Sequence, residues 1–227
     1  MAALELVKTS LFIDANIKGY WRLENLNDIS DNAFNLTNNN AVTFPAGKFS
    51  NGASFNGTNQ SLTVANSLGI DGGNITISAW INPTTVTSAS DHLTYVSQFN
   101  DTSDVGFGLT VGTTGIRASR LRAAVAWDDT TQVAITAGIW THAALTYDGT
   151  TLKLYINGSL SQSSAFSGNG GGSATTRVAL GCRADATLLT GFLTTLLDDV
   201  AIFNRALSAA EVLSIYDQPT SGFFMLL

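Results

Sequence analysis

The sequence predicts an all-β fold, a two-sheet antiparallel sandwich closed by one short C-terminal helix. Three observations predict it. Roughly a dozen short apolar runs with period-two alternation are spread along 227 residues. Turn dipeptides separate them, among them Asp148-Gly149 and Asn157-Gly158. Only 12% of residues are charged, a composition suited to strands and tight turns rather than to salt-bridged helices. A sandwich of this length folds as one unit with a sizeable core.

Taken in order, residues 1–18 read as an extension. Leu4, Leu6, Val7, Leu11, Phe12 and Ile13 make it too apolar for a free tail. Trp21, Leu23 and Leu26 alternate with Arg22 and Glu24 as a half-buried strand beginning at Tyr20. Asn27–Asn40 is dense in Asn and Asp and reads as a loop. Strands follow at Ala41–Phe44, Ala53–Phe55 and Ser61–Val64, with a turn over Gly47–Asn51. Ile75–Ile81 alternates cleanly, placing Ile75, Ile77, Ala79 and Ile81 on one face. Further strands are expected at Leu93–Gln98, Val105–Val111, Leu121–Trp127, Trp140–Tyr147, Leu152–Ile156, Val178–Gly181 and Gly191–Leu197. The Gly-rich run Ser167–Ser173 is a loop, because the strand pattern resumes on both sides.

The chain closes with LDDVAIFNRALSAAEVLSIYD, residues 197–217. Leu197, Val200, Ile202 and Phe203 form a strand, and Asn204-Arg205 a tight turn. Ser208 and Glu211 then form a capping box, in which the hydroxyl takes an orphan amide and the carboxylate reaches back. Val212, Leu213, Ile215 and Tyr216 give the helix its apolar stripe. Residues 218–227 are a tail that ends Gly222-Phe-Phe-Met-Leu-Leu227.

Charge and cysteine usage exclude several classes. The net charge of −6 argues against nucleic acid, whose phosphates need a basic surface. The acidity comes from fourteen Asp against three Glu, and Asp favours turns and oxygen-ligand cation sites. The single cysteine, Cys182, allows no internal disulfide and reads as a buried small residue. No membrane span and no secretory signal are recognisable, since Glu5, Lys8 and Asp14 interrupt the N-terminal apolar residues. Sequons at Asn35, Asn56, Asn74, Asn100 and Asn157 are then compositional.

The closing segment resembles the end of a LamG-like jelly roll in the concanavalin A-like lectin/glucanase superfamily. Four other segments are similar to that family in the same order: GYWRLE at 19–24, GKFSNGASFNG at 47–57, ITISAWINP at 75–83, and WTHAALTYDG at 140–149 with LKLYING at 152–158. Together they imply one jelly-roll domain over 19–217, between the extension 1–18 and the tail 218–227. The matching residues are core and turn positions, so they imply fold more than function. By the same likeness Trp21, Trp80 and Trp140 are core residues, and His142 a buried one.

The resemblance also implies a structural calcium site. The Asp of the last strand, Asp198, would bind with Asp31 and Asn35 of the early loop and a carbonyl near Gly57. Two points stand against it. The loop reads Asp31-Asn-Ala-Phe-Asn35, without the family's glycine, and the alternative has Asp31 capping a turn and Asp198 accepting amides. Asp199 is expected on the opposite face of that strand. A second candidate site joins Trp127, Asp128 and Asp129 with Asp104, at strand ends where laminin-type modules take calcium and glycans. An apolar sugar face would stack on the Trp127 indole, with the carboxylates accepting from hydroxyls.

No catalytic set is legible. Retaining glycosidases need two carboxylates about 5–5.5 Å apart, whereas Asp128 and Asp129 are neighbours on a strand and point to opposite faces. A chain of this kind resembles LamG-like proteins of bacteriophages and their hosts, which serve as virion surface, decoration or adhesive parts. The expectation is therefore a non-enzymatic binding or structural module at a virion or cell surface. Phe223, Phe224, Leu226 and Leu227 would dock on a neighbouring subunit or pack back, giving a homo-oligomer or other surface partners. The alternative is a calcium-dependent carbohydrate-binding module.

Overall fold

A computed structural model of the chain describes residues 14–64, 68–70, 73–86, 92–100, 105–122, 126–166, 177–184 and 189–217, with the backbone alone at Asn100, Val105, Arg122 and Ala126. The expected N-terminal extension up to residue 13, Asp104, and the four tail residues Phe223, Phe224, Leu226 and Leu227 lie outside the described residues. The strands are β1 (Ile17–Trp21), β2 (Thr37–Asn39), β3 (Ala53–Asn56), β4 (Ser61–Val64), β5 (Ile75–Pro83), β6 (Leu93–Asn100), β7 (Val105–Val111) and β8 (Ile116–Arg122). They continue as β9 (Ala126–Asp129), β10 (Thr141–Tyr147), β11 (Thr151–Ile156), β12 (Ser159–Ala165), β13 (Arg177–Leu180), β14 (Arg183–Ala184), β15 (Leu189–Thr190) and β16 (Thr194–Phe203). One helix, α1 (Ala209–Tyr216), follows.

Among the described residues the strands form two antiparallel sheets. The first runs β1-β16-β5-β10-β11-β12, with β3 also on β16, and the second runs β2-β4-β13-β6-β7-β8-β9. Period-two alternation sends one row of each strand between the sheets. In β5 that row is Ile75, Ile77, Ala79 and Ile81, opposite Tyr147, Leu145, Ala143 and Thr141 of β10. Phe107, Leu109 and Val111 of β7 and Ile116 and Ala118 of β8 face them from the second sheet. Trp21 is wholly buried in this core, and its indole N–H donates to the Phe34 carbonyl at 2.9 Å.

A second apolar cluster lies on the outer face of the first sheet. There Ile17, Tyr20, Tyr155, Ala201 and Phe203 receive Leu207, Val212 and Ile215 from the helix and its approach. The predicted capping box is formed. Ser208 Oγ accepts from the Glu211 amide, and Glu211 accepts from the Ser208 amide at 2.8 Å. The Arg205 guanidinium is clasped between Asp14 and Glu211, which fixes the turn before the helix.

Several expectations change. The strand expected from Tyr20 through Leu26 runs instead from Ile17 to Trp21, and Ala41–Phe44 is no strand but meets β3 through one isolated bridge, Thr43 with Ser54. The stretch expected as one strand, Leu121–Trp127, belongs to two antiparallel strands, β8 and β9, in which Leu121 pairs with Trp127. The polar strand β12 has no hydrophobic periodicity to announce it, and β2 lies inside the expected loop. Trp140 is half-exposed rather than core, while Trp80 is buried under Tyr216 on the outer face of the first sheet. Finally, a bulge in β16 changes the place of Asp199. Asp198 pairs with Trp80 and Ala201 with Ser78, so β16 holds one extra residue, and Asp199 takes φ 43°. Leu197 and Val200 point inward, while Asp198 and Asp199 both stay on the outer side.

Candidate binding site on the second sheet

The outer face of the second sheet gathers the side chains with binding chemistry. Register decides which ones. Trp127 lies opposite Leu121 and Asp129 opposite Ser119, whereas Asp128 lies opposite Arg120 on the inward row. Gly106 and Gly108 leave room on the outer row for Phe99, since a Cβ on Gly108 would stand 2.9 Å from its ring. Phe99 meets the Trp127 indole edge-on at 5.3 Å. The His92 imidazole stacks on that indole with centroids 3.7 Å apart and planes 19° apart, and the Arg183 guanidinium stands over it at 5.3 Å.

Asp129 is the hub of the polar half. One oxygen, Oδ2, lies 3.0 Å from His92 Nε2 and 3.3 Å from Arg117 Nη1. The other, Oδ1, is buried and has no hydrogen-bond partner among the described residues. Arg117 Nε donates to Thr110 Oγ1, whose hydroxyl is 2.6 Å from that of Ser119. The His92 backbone is left-handed, φ 59°, a conformation that His, Asn and Asp adopt more often than other non-glycine residues. Sequence reasoning found Trp127 and Asp129 but missed His92 and Arg117, which come from other strands and share no local motif with them.

Asp128 leaves the nominated group. It is buried and accepts from Arg120 Nε at 2.9 Å, and the same guanidinium reaches the Tyr147 hydroxyl and lies over the Tyr147 ring at 4.7 Å. This ion pair ties β8 and β9 to β10 inside the sandwich, and removing one partner would strand a buried charge.

Of the residues the resemblance nominates for calcium, Asp198 and Asn35 accept backbone amides. Asp198 Oδ2 accepts from the amides of Lys48 and Phe49 at 2.7 and 3.1 Å, and Oδ1 from the Asp199 amide at 2.8 Å. Asn35 Oδ1 accepts from the Asp28 amide, and Asp31 is exposed. Gly57, at φ 72°, turns the chain beside Thr194. The loop is organised by Asp28, which takes the amides of Tyr20, Ser30 and Phe34 and the Ser30 hydroxyl, all at 2.9 Å. No group of three or more His, Cys, Asp or Glu among the described residues is arranged to hold a metal. Asp198 thus accepts backbone amides through both of its oxygens.

Burial sets the charge of two further sites. Asp198 is pushed up to about 6 by burial against the pull of its amides, and Asp199 to about 7 by burial and by the Asp198 charge. The Tyr20 hydroxyl donates to Asp199 Oδ1 at 3.1 Å. His142 Nε2 lies 2.8 Å from Ser78 Oγ, but both residues are wholly buried and burial keeps the imidazole neutral down to about 3. That pair is beyond the reach of a substrate. No helix among the described residues is long and apolar enough to cross a membrane.

A laminin G family model, described as concanavalin A-like lectin/glucanases superfamily, matches residues 56–213. No curated protein matches the chain by sequence. Among solved structures, the chain is similar to domain 4 of an extracellular arabinanase from Geobacillus stearothermophilus in complex with arabinotriose, with a TM-score of 0.73, 20% identity, and coverage of 89% of this chain and 98% of that one. It is also similar to the binding domain of Paraclostridial Mosquitocidal Protein 1, with a TM-score of 0.68, 19% identity, and coverage of 93% and 52%. The botulinum neurotoxin DC binding domain in complex with SialylT has a TM-score of 0.68 at 14% identity, with coverage of 90% and 52%. This chain thus spans about half of each of those two binding domains. At these identities the likeness is one of fold.

Proposed function

Because the chain belongs to the concanavalin A-like lectin/glucanases superfamily, we propose that it is a non-catalytic glycan-binding module. Its ligand meets the outer face of the second sheet at Trp127 and Asp129. The observation that carries this reading is the indole of Trp127, half-exposed beside the Asp129 carboxylate and two arginines, with the His92 imidazole stacked on it. An aromatic face with a few fixed polar groups is how proteins hold sugars. Its faces are partly taken by His92 and Arg183, so a sugar ring meets the open part of the indole or moves Arg183 aside. The arabinotriose of the arabinanase domain makes arabino-oligosaccharides the first probes.

The test is calorimetric titration of a neutral oligosaccharide panel into the protein and into Trp127→Ala, with calcium and then with chelator. Binding that drops about tenfold or more in Trp127→Ala, and is the same in chelator, is expected. Unchanged binding in the variant would refute the site. A chelator-sensitive affinity would bring calcium back as part of it.

A second reading, as an assembling module at a virion or cell surface, is favoured by one observation. Leu160 on β12 and Leu213 on the helix are 52% and 40% exposed and lie to either side of Gly158, which Leu213 approaches. A second copy of the chain docked there would cover them. Both readings are compatible, because the two surfaces belong to different sheets.

A further inference from the structure

Resting on the glycan-binding reading, we propose that the ligand is a neutral sugar that donates a hydroxyl hydrogen bond to Asp129 Oδ1, with Arg117 and His92 as positioning residues. The two oxygens of Asp129 are unequal. Oδ2 lies within hydrogen-bonding or ion-pairing distance of His92 Nε2 and Arg117 Nη1, while Oδ1 is buried and takes no hydrogen bond among the described residues. A buried acceptor left without a donor is costly, and native proteins keep such groups rarely. A hydrogen-bond donor brought by a ligand would satisfy it.

A sugar hydroxyl is such a donor. A carboxylate, sulfate or phosphate on the ligand is not. It offers lone pairs and negative charge to an oxygen that already has both. The neighbouring indole adds the second requirement, an apolar patch of C–H groups next to the hydroxyl, which a neutral sugar ring carries on one face. The arginine and the imidazole both engage Oδ2, and the His92 ring stacks on Trp127. They hold one oxygen of the carboxylate, and because Oδ1 is buried a sugar hydroxyl reaches it only by displacing the groups that cover it. Arg183, 5.3 Å over the indole, is a cation that an anionic ligand would also use, so the test needs an anionic arm.

The experiment is competition binding with the whole chain, using arabinotriose and xylotriose as neutral probes and sialyllactose and trigalacturonate as anionic ones. The wild-type protein should bind a neutral probe at least about tenfold more tightly than either anionic probe, with little change between low and high salt. Asp129→Asn should lose about tenfold for the neutral probe and nothing for the anionic ones, with Arg117→Met following it and Arg117→Lys restoring part of the loss. Tighter binding of an anionic probe by the wild type, or a neutral affinity untouched by Asp129→Asn, would overturn the inference and leave glycan binding standing. No binding of any probe, on these four or on a broad glycan array, would remove both. The wild-type comparison needs no variant, so a variant that failed to fold would not obscure the result.

Discussion

Asp198 and Asp199 are consecutive residues of one strand that share a face, and the charge they carry there is the clearest residue-scale consequence of the bulge. Both carboxyls stand above 3.8, at about 6 and about 7. The folded protein therefore holds more protons at these groups than the unfolded chain from about pH 4 to about pH 7. The stability they contribute is present in acid and is lost as pH rises through their folded values. His142, kept neutral down to about 3, acts in the opposite sense below its ordinary value of 6.5. The comparison that isolates the pair is Asp199→Asn against wild type. Its Tm relative to wild type should rise from about pH 4 to about pH 7 and level off above that. A difference that stays constant over that range would contradict the account of the pair. The identity of these residues was legible in the sequence, but not their common orientation. Alternation puts Asp199 on the inner face, and a one-residue bulge leaves no mark in the sequence.

At the scale of elements, what was legible is what is local. The capping box of Ser208 and Glu211 and the inward row of Ile75, Ile77, Ala79 and Ile81 are set by spacings of three and two. The opposite facing of Asp128 and Asp129 followed from the same rule. Elements stabilised by pairing alone were hidden, β12 most clearly, since its residues are Ser, Leu, Gln and Ala with no periodic row. In the first sheet β12 is an outer strand, uncharged along its length, carrying the exposed Leu160, with Leu213 of the helix beside Gly158 just before it. Open edges of this kind are places where chains associate. Sedimentation of the wild-type protein should show dimer growing with concentration, and Leu160→Ser with Leu213→Ser should return it to monomer. A double variant that associates like wild type would remove this surface from consideration.

For the whole molecule, the two sheets divide the work. The first carries the helix, the bulged acidic pair and the exposed leucines, and its outer face is closed over by α1. The second leaves its outer face to Trp127, Asp129, Arg117 and His92, drawn from β9, β8 and the start of β6. Fold was readable because five family-like segments mark core and turn positions around both sheets. The site was only half readable, because His92 and Asp129 are 37 residues apart and meet through strand register. The measurement that tests the central claim most directly is residue-resolved amide NMR during titration with a bound neutral oligosaccharide. Shifts confined to His92, Arg117–Leu121 and Trp127–Asp129, with the helix and β12 unmoved, are the predicted result. Shifts centred on α1, β12 or the Asp198 joint, with the Trp127 region silent, would contradict it.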